Sequence, residues 1–149
     1  MKTIRNYELK VRRVTVADAS EPYGKSVHAP SDVQRLAKVL IGDSAHEVFC
    51  VFLLDVKNRV VGYTEVGRGG VDMCPVDVRA VFRIALVVGA AALIVAHCHP
   101  SGDPSPSKQD IELTERLKKA ADLLSLSLLD HVIVTTEECT SLRERGLMV

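Results

Sequence analysis

His97-Cys-His-Pro-Ser-Gly-Asp-Pro-Ser-Pro-Ser107-Lys-Gln-Asp110 is the stretch that decides how this chain is read. The apolar run Ala91-Ala-Leu-Ile-Val-Ala96 leads directly into it. That run is short, β-branched near its end and bounded by loop residues, so it predicts a buried strand. Side chains alternate along a strand, so His97 and His99 point to one side and Cys98 to the other. Two histidines so placed can grip one metal ion. Pro100, Gly102, Pro104 and Pro106 then break regular structure. Ser107 opens a helix, with Asp110 following at capping-box spacing.

The helix register adds a third group. Leu113, Leu117, Ala120, Ala121 and Leu124 form one apolar stripe at helical spacing, and Asp110 falls on the same inward face. An acid aimed at the core needs a partner. A metal held by His97 and His99 would be that partner, and two histidines with one carboxylate make a catalytic zinc set with a position left for water. The plainer alternative is that Ser107 and Asp110 only cap the helix and the histidines make ordinary hydrogen bonds. A bare His-x-His does not choose between the two; the whole strand-loop-helix constellation favours the metal.

The pattern His97-x-His99, seven residues, Ser107, two residues, Asp110 resembles the motif of the JAMM (JAB/MPN) zinc metalloproteases, and the surrounding His-Pro-Ser-Gly-Asp-Pro-Ser-Pro-Ser resembles their RadC branch. The resemblance runs from about Ser31 to Gly146. It implies a three-layer α/β/α sandwich with a mixed central sheet, the JAB/MPN fold, similar to that of cytidine deaminases. It implies one zinc ion per chain on His97, His99 and Asp110, and hydrolysis of a peptide or isopeptide bond through a metal-activated water. Ser107 matches the family serine that steadies the oxyanion. Such chemistry also needs a base. Spacing alone leaves Glu47, Glu65 and Asp55 open; the resemblance singles out Glu47, at the strand entry His46-Glu-Val-Phe49, against the alternative of an exposed strand-entry glutamate. Cys98 departs from the family, which carries Ser or Thr there, or often Asn in the RadC branch. Strand alternation turns it away from the metal, so it reads as a small buried residue.

The rest of the chain bounds these readings. With 149 residues, 47% of them hydrophobic, it suits a single domain with a real core. Lys+Arg and Asp+Glu both number 19, so nothing in the charge balance asks for nucleic acid or an anionic membrane. Cys50, Cys74, Cys98 and Cys139 form no C-x-x-C pair, which argues against a zinc ribbon. The N-terminus has no apolar signal core and no run reaches membrane-spanning length, so a cytoplasmic protein with reduced thiols is expected.

In chain order, alternation at Tyr7, Leu9 and Val11 predicts a strand, and residues 19–30 a loop, with His28 given no role. Residues 1–30 are thus expected to form a strand and loop extension, without a helix-hairpin-helix module of the kind many RadC relatives carry. Ser31 is expected to cap a helix burying Val33, Leu36, Ala37 and Leu40 and stopped by Gly42. His46–Leu54 predicts a strand buried on both faces, and Val60–Val66 its hairpin partner. Gly67-Arg-Gly-Gly70 reads as a connector. Pro75 starts a helix burying Val78, Val81, Phe82, Ala85 and Leu86, with Gly89 near its end. Ser127–Val134 is a further buried strand; His131 inside it reads as a satisfied core or edge histidine rather than a second metal site, since no other ligand pattern accompanies it. Ser141–Gly146 is expected to form a last helical turn.

Three functions compete. The first is a zinc metallohydrolase acting on a peptide or protein substrate. The second is a RadC-type accessory in DNA repair or recombination without peptidase activity. It is weakened by the zero net charge and an aromatic content of 4%, so nucleic acid is not expected as a tight direct partner. A zinc nucleobase deaminase fails because the H-x-E and P-C-x-x-C elements are absent. Substrate and oligomeric state are not legible.

Overall fold

Val48–Leu54 (β1) is the spine of the fold, and all seven of its residues are buried. A strand apolar on both sides must be covered on both sides. The computed structural model, which describes residues 10, 12, 26–69 and 76–148, shows how. Pro30–Ile41 (α1) covers one face, packing Val33, Leu36, Ala37 and Ile41 on Val48, Cys50, Phe52 and Leu54. The helices Val78–Val88 (α2) and Lys108–Leu123 (α3) cover the other, over Phe49, Val51 and Leu53. The outcome is a three-layer α/β/α sandwich, as expected.

The sheet is mixed. β1 pairs antiparallel with Val60–Arg68 (β2) on one side and with Ala92–Cys98 (β3) on the other. β3 pairs parallel with Ser127–Val134 (β4), and β4 antiparallel with Cys139–Ser141 (β5), giving the order β2-β1-β3-β4-β5. α3 is the crossover between the parallel strands. It starts beside the end of β3, and that places Asp110 next to the histidines.

Several expectations are corrected. α1 is capped at Ala29, not Ser31: Pro30 sets the first helical φ, and the Asp32 carboxylate accepts from the backbone N–H of His28 and Ala29. Leu40 is only partly buried. β2 runs on through Gly67 and Arg68, which therefore belong to a strand and not to a connector. Leu86 is 53% exposed; the buried face of α2 centres on Val81, Phe82 and Ala85, and one residue further lies ~100° round the helix. Leu124 falls beyond the end of α3 and leaves the stripe, which includes Thr114 instead. Ser141 closes strand β5, missed in the sequence because it is so short, and only turns follow it. Gly89 ends α2 at φ 67°, a left-handed conformation that suits glycine. The expected strand at Tyr7–Val11, the helix start at Pro75 and most of the 19–30 loop lie outside the described residues.

Candidate metal centre

β3 ends in the site. His97 is its penultimate residue, and His99 follows the last one, held by a bond from its backbone N–H to the Val134 carbonyl. Both imidazoles turn to the α3 side, with their Nε2 atoms 2.8 Å apart. Asp110 comes up from the first turn of α3, its Oδ1 3.1 Å from His97 Nε2 and its Oδ2 3.5 Å from His99 Nε2. Glu47, at the entry of β1, brings Oε1 to 3.8 Å from His97 Nε2. One ligand-capable atom from each of Glu47, His97, His99 and Asp110 lies within 4.8 Å of the others. The sequence gathered these four residues from separate arguments; the fold gathers them in space. Glu65 and Asp55, the other base candidates, are tied up in ion pairs with Arg68 and Arg59.

Each group is held from behind. His99 Nδ1 is 2.8 Å from the Asp103 carbonyl. A carbonyl only accepts, so Nδ1 carries the proton and Nε2 presents a lone pair. Asp110 Oδ2 accepts from both the N–H and the hydroxyl of Ser107, at 2.7 Å each, while Ser107 Oγ accepts from the Asp110 N–H. This is the expected capping box, and it fixes the carboxylate as well as the helix. Behind His97 lies His131: His97 Nδ1 is 2.8 Å from His131 Nε2, and His131 Nδ1 is 2.6 Å from Thr114 Oγ1. Sequence reasoning reads His131 as a satisfied core or edge histidine, and the fold makes it a core one. It gave His131 no link to the site, and it did not single out Thr114. The available signal was that Thr114 is one helical turn after Asp110 on an inward face.

The electrostatics favour a cation. Burial pushes the Asp110 carboxyl up, but the His97 and His99 imidazoles that face it and the bonds from Ser107 outweigh burial and hold the group well below the usual carboxylate range. Asp110 in turn raises the His99 imidazole, against burial. Two carboxylates and the bare Nε2 of His99 are acceptors facing one another, so a divalent ion suits the donor set. Burial and the neighbouring His97 keep His131 neutral, well below its ordinary value.

An α/β/α sandwich carrying this histidine–carboxylate cluster at the end of its central strand defines the class. A profile of the RadC-like JAB domain matches residues 27–147, and the chain belongs to that family. Among its curated relatives, the UPF0758 protein of Marinobacter nauticus is 44% identical over 133 residues, 89% of this chain and 59% of the relative. That of Acidithiobacillus ferrooxidans is 45% identical over 123 residues, 83% of this chain and 55% of the relative. That of Vibrio cholerae is 42% identical over 123 residues, 83% of this chain and 78% of the relative. The chain spans little more than half the length of the first two. Among the described residues, no helix is long and apolar enough to cross a membrane.

Proposed function

We propose that this chain is a zinc-dependent metallohydrolase that cleaves a peptide or isopeptide bond in a protein substrate, in the cytoplasm. The observation that carries the reading is the convergence of Glu47, His97, His99 and Asp110 within 4.8 Å. On this reading His97, His99 and Asp110 hold one zinc ion, which when bound supplies Lewis acidity and lowers the pKa of a water. Glu47, its side chain 14% exposed at the mouth of the site, takes the proton and delivers it to the leaving amine. Ser107 secures Asp110 and would serve the oxyanion by turning its hydroxyl toward the substrate.

Metal analysis and a peptide-library screen test this. The wild type is expected to hold one zinc per chain, and the His97→Ala, His99→Ala double variant none. Glu47→Gln should keep its zinc and lose hydrolysis by about 10²–10⁴-fold, as for a lost general base. Loss of zinc from Glu47→Gln would instead make Glu47 a fourth ligand and the site a closed, structural one. A folded, zinc-loaded wild type that cleaves no peptide or isopeptide would transfer support to the accessory role in DNA repair.

A further inference from the structure

We propose that His131, backed by Thr114, is a positioning residue that fixes His97 in the Nδ1–H tautomer and so aims its Nε2 lone pair at the metal. The direction of the hydrogen bonds is set at the far end of the chain of contacts. Thr114 Oγ1 lies 2.6 Å from the backbone carbonyl of Asp110. That carbonyl can only accept, and a hydroxyl has one proton to give. Thr114 Oγ1 therefore accepts from His131 Nδ1–H across 2.6 Å. His131 is fully buried, with a hydroxyl and an imidazole for partners, so it is neutral. A neutral ring with its proton on Nδ1 has a bare Nε2, and that atom accepts from His97 Nδ1–H across 2.8 Å. His97 Nε2 is then left as a lone pair, 3.1 Å from Asp110 Oδ1 and 2.8 Å from His99 Nε2. The opposite direction would set Thr114 Oγ1 and the Asp110 carbonyl against each other as two acceptors at 2.6 Å. It would also put a proton on His97 Nε2, where a metal must bind.

Packing supports the relay. Phe49 stacks on the His97 ring at 5.8 Å and meets the His131 ring edge-on at 5.6 Å. In the parallel register Val95 faces His131 and His97 faces Ile133, so both imidazoles stand on the α3 side of the sheet. Asp110 thus enters the site twice: its carboxylate faces the ligands, and its backbone carbonyl anchors the relay that orients one of them. Ligating histidines are commonly fixed by a carboxylate, carbonyl or water on the second nitrogen; here another imidazole does it.

The assignment rests on the metal reading, and the test separates the two. Long-range imidazole ¹⁵N spectra of the wild type, with and without Zn²⁺, should show His97 and His131 both protonated on Nδ1. Zn²⁺ affinity is then measured by chelator competition. His131→Phe should weaken it about 10–100-fold, and His131→Gln, whose Oε1 can accept from His97 Nδ1–H, should recover most of the loss. Thr114→Val should mix the His97 tautomers and weaken Zn²⁺ binding as well; it decides the matter if His131→Phe does not fold. His97 protonated on Nε2 in the wild type, or wild-type affinity in a folded His131→Phe, overturns the relay alone, as does wild-type affinity in Thr114→Val should His131→Phe not fold. A wild type that binds no Zn²⁺ overturns the metal reading, and the relay with it.

Discussion

Cys98 lies between the two clustered histidines and acts on the opposite side of the sheet. Its Sγ accepts from the Val48 N–H and donates to the His46 carbonyl, at 3.3 Å each. Those are the peptide groups flanking Glu47, whose own carbonyl accepts from the Gly69 N–H at 2.9 Å. Burial pushes the Cys98 thiol up, so it remains a protonated donor. Cys98→Ala is expected to lower stability by about 0.5–1.5 kcal/mol and to reduce turnover more than zinc affinity, while Cys98→Ser retains both. Unchanged turnover in zinc-loaded Cys98→Ala would show that Glu47 does not depend on the thiol. Ser107 behaves differently, because its cap and its carboxylate bond share one hydroxyl. Ser107→Ala should lose about 0.5–2 kcal/mol and weaken zinc binding in the same sample, by melts and chelator competition. Aspartate is a good N-cap by sequence alone, but at position 107 it would face Asp110 Oδ2 across the 2.7 Å now spanned by the Ser107 hydroxyl. Ser107→Asp should therefore melt below the wild type.

At the scale of elements, β5 and the turn after it depend on one buried acid. Asp130 in β4 accepts from the Ser141 hydroxyl at 2.6 Å, the His131 N–H at 2.7 Å and the Arg143 N–H at 3.2 Å. Burial raises its carboxyl above the ordinary value, opposed by those bonds. For an acid raised in the fold, the native state keeps its proton to higher pH than the unfolded chain. The contribution is thus fully present below the unfolded pKa of about 3.9 and is lost as pH rises through the folded value. Asp130→Asn can keep the pattern, with its amide donating to Ser141 Oγ, and should flatten the decline in stability just above pH ~4. Asp130→Ala orphans its donors at about 1–3 kcal/mol each, and hydrogen exchange should show β5 opening first. A pH profile of chemical denaturation for both variants checks this.

For the whole molecule, the site couples to the fold through ordinary linkage. His97 and His99 end β3, Asp110 begins α3 and Glu47 begins β1, so no ligand set exists until the sheet and its crossover helix have assembled. Zinc held at 100 times its Kd should therefore stabilise the native state by about 2.7 kcal/mol. The melting temperature should rise with zinc and fall with chelator, and the His97→Ala, His99→Ala double variant should not respond. An equal response in that variant would place the metal elsewhere on the chain.

The central strands, the three described helices and the order in which they alternate were legible in the sequence, because each is set by local chemistry. β1 and β3 are continuous apolar runs, Gly89 ends α2, and Ser107 with Asp110 forms a capping box whose residues are near neighbours. The clustering of His97, His99 and Asp110 was legible for the same reason: they lie within one strand-loop-helix, where alternation and helical register fix their directions. Glu47 came from the family resemblance, since its 50-residue separation from His97 has no local signal. What only the tertiary structure decided lies across strands and helices. The parallel pairing of β3 and β4 brings His131 behind His97, the crossover helix sets Thr114 against His131, and Cys98 reaches across to the neighbouring strand's peptide groups around Glu47. No single stretch of chain carries those contacts, because each exists only once separate elements have packed.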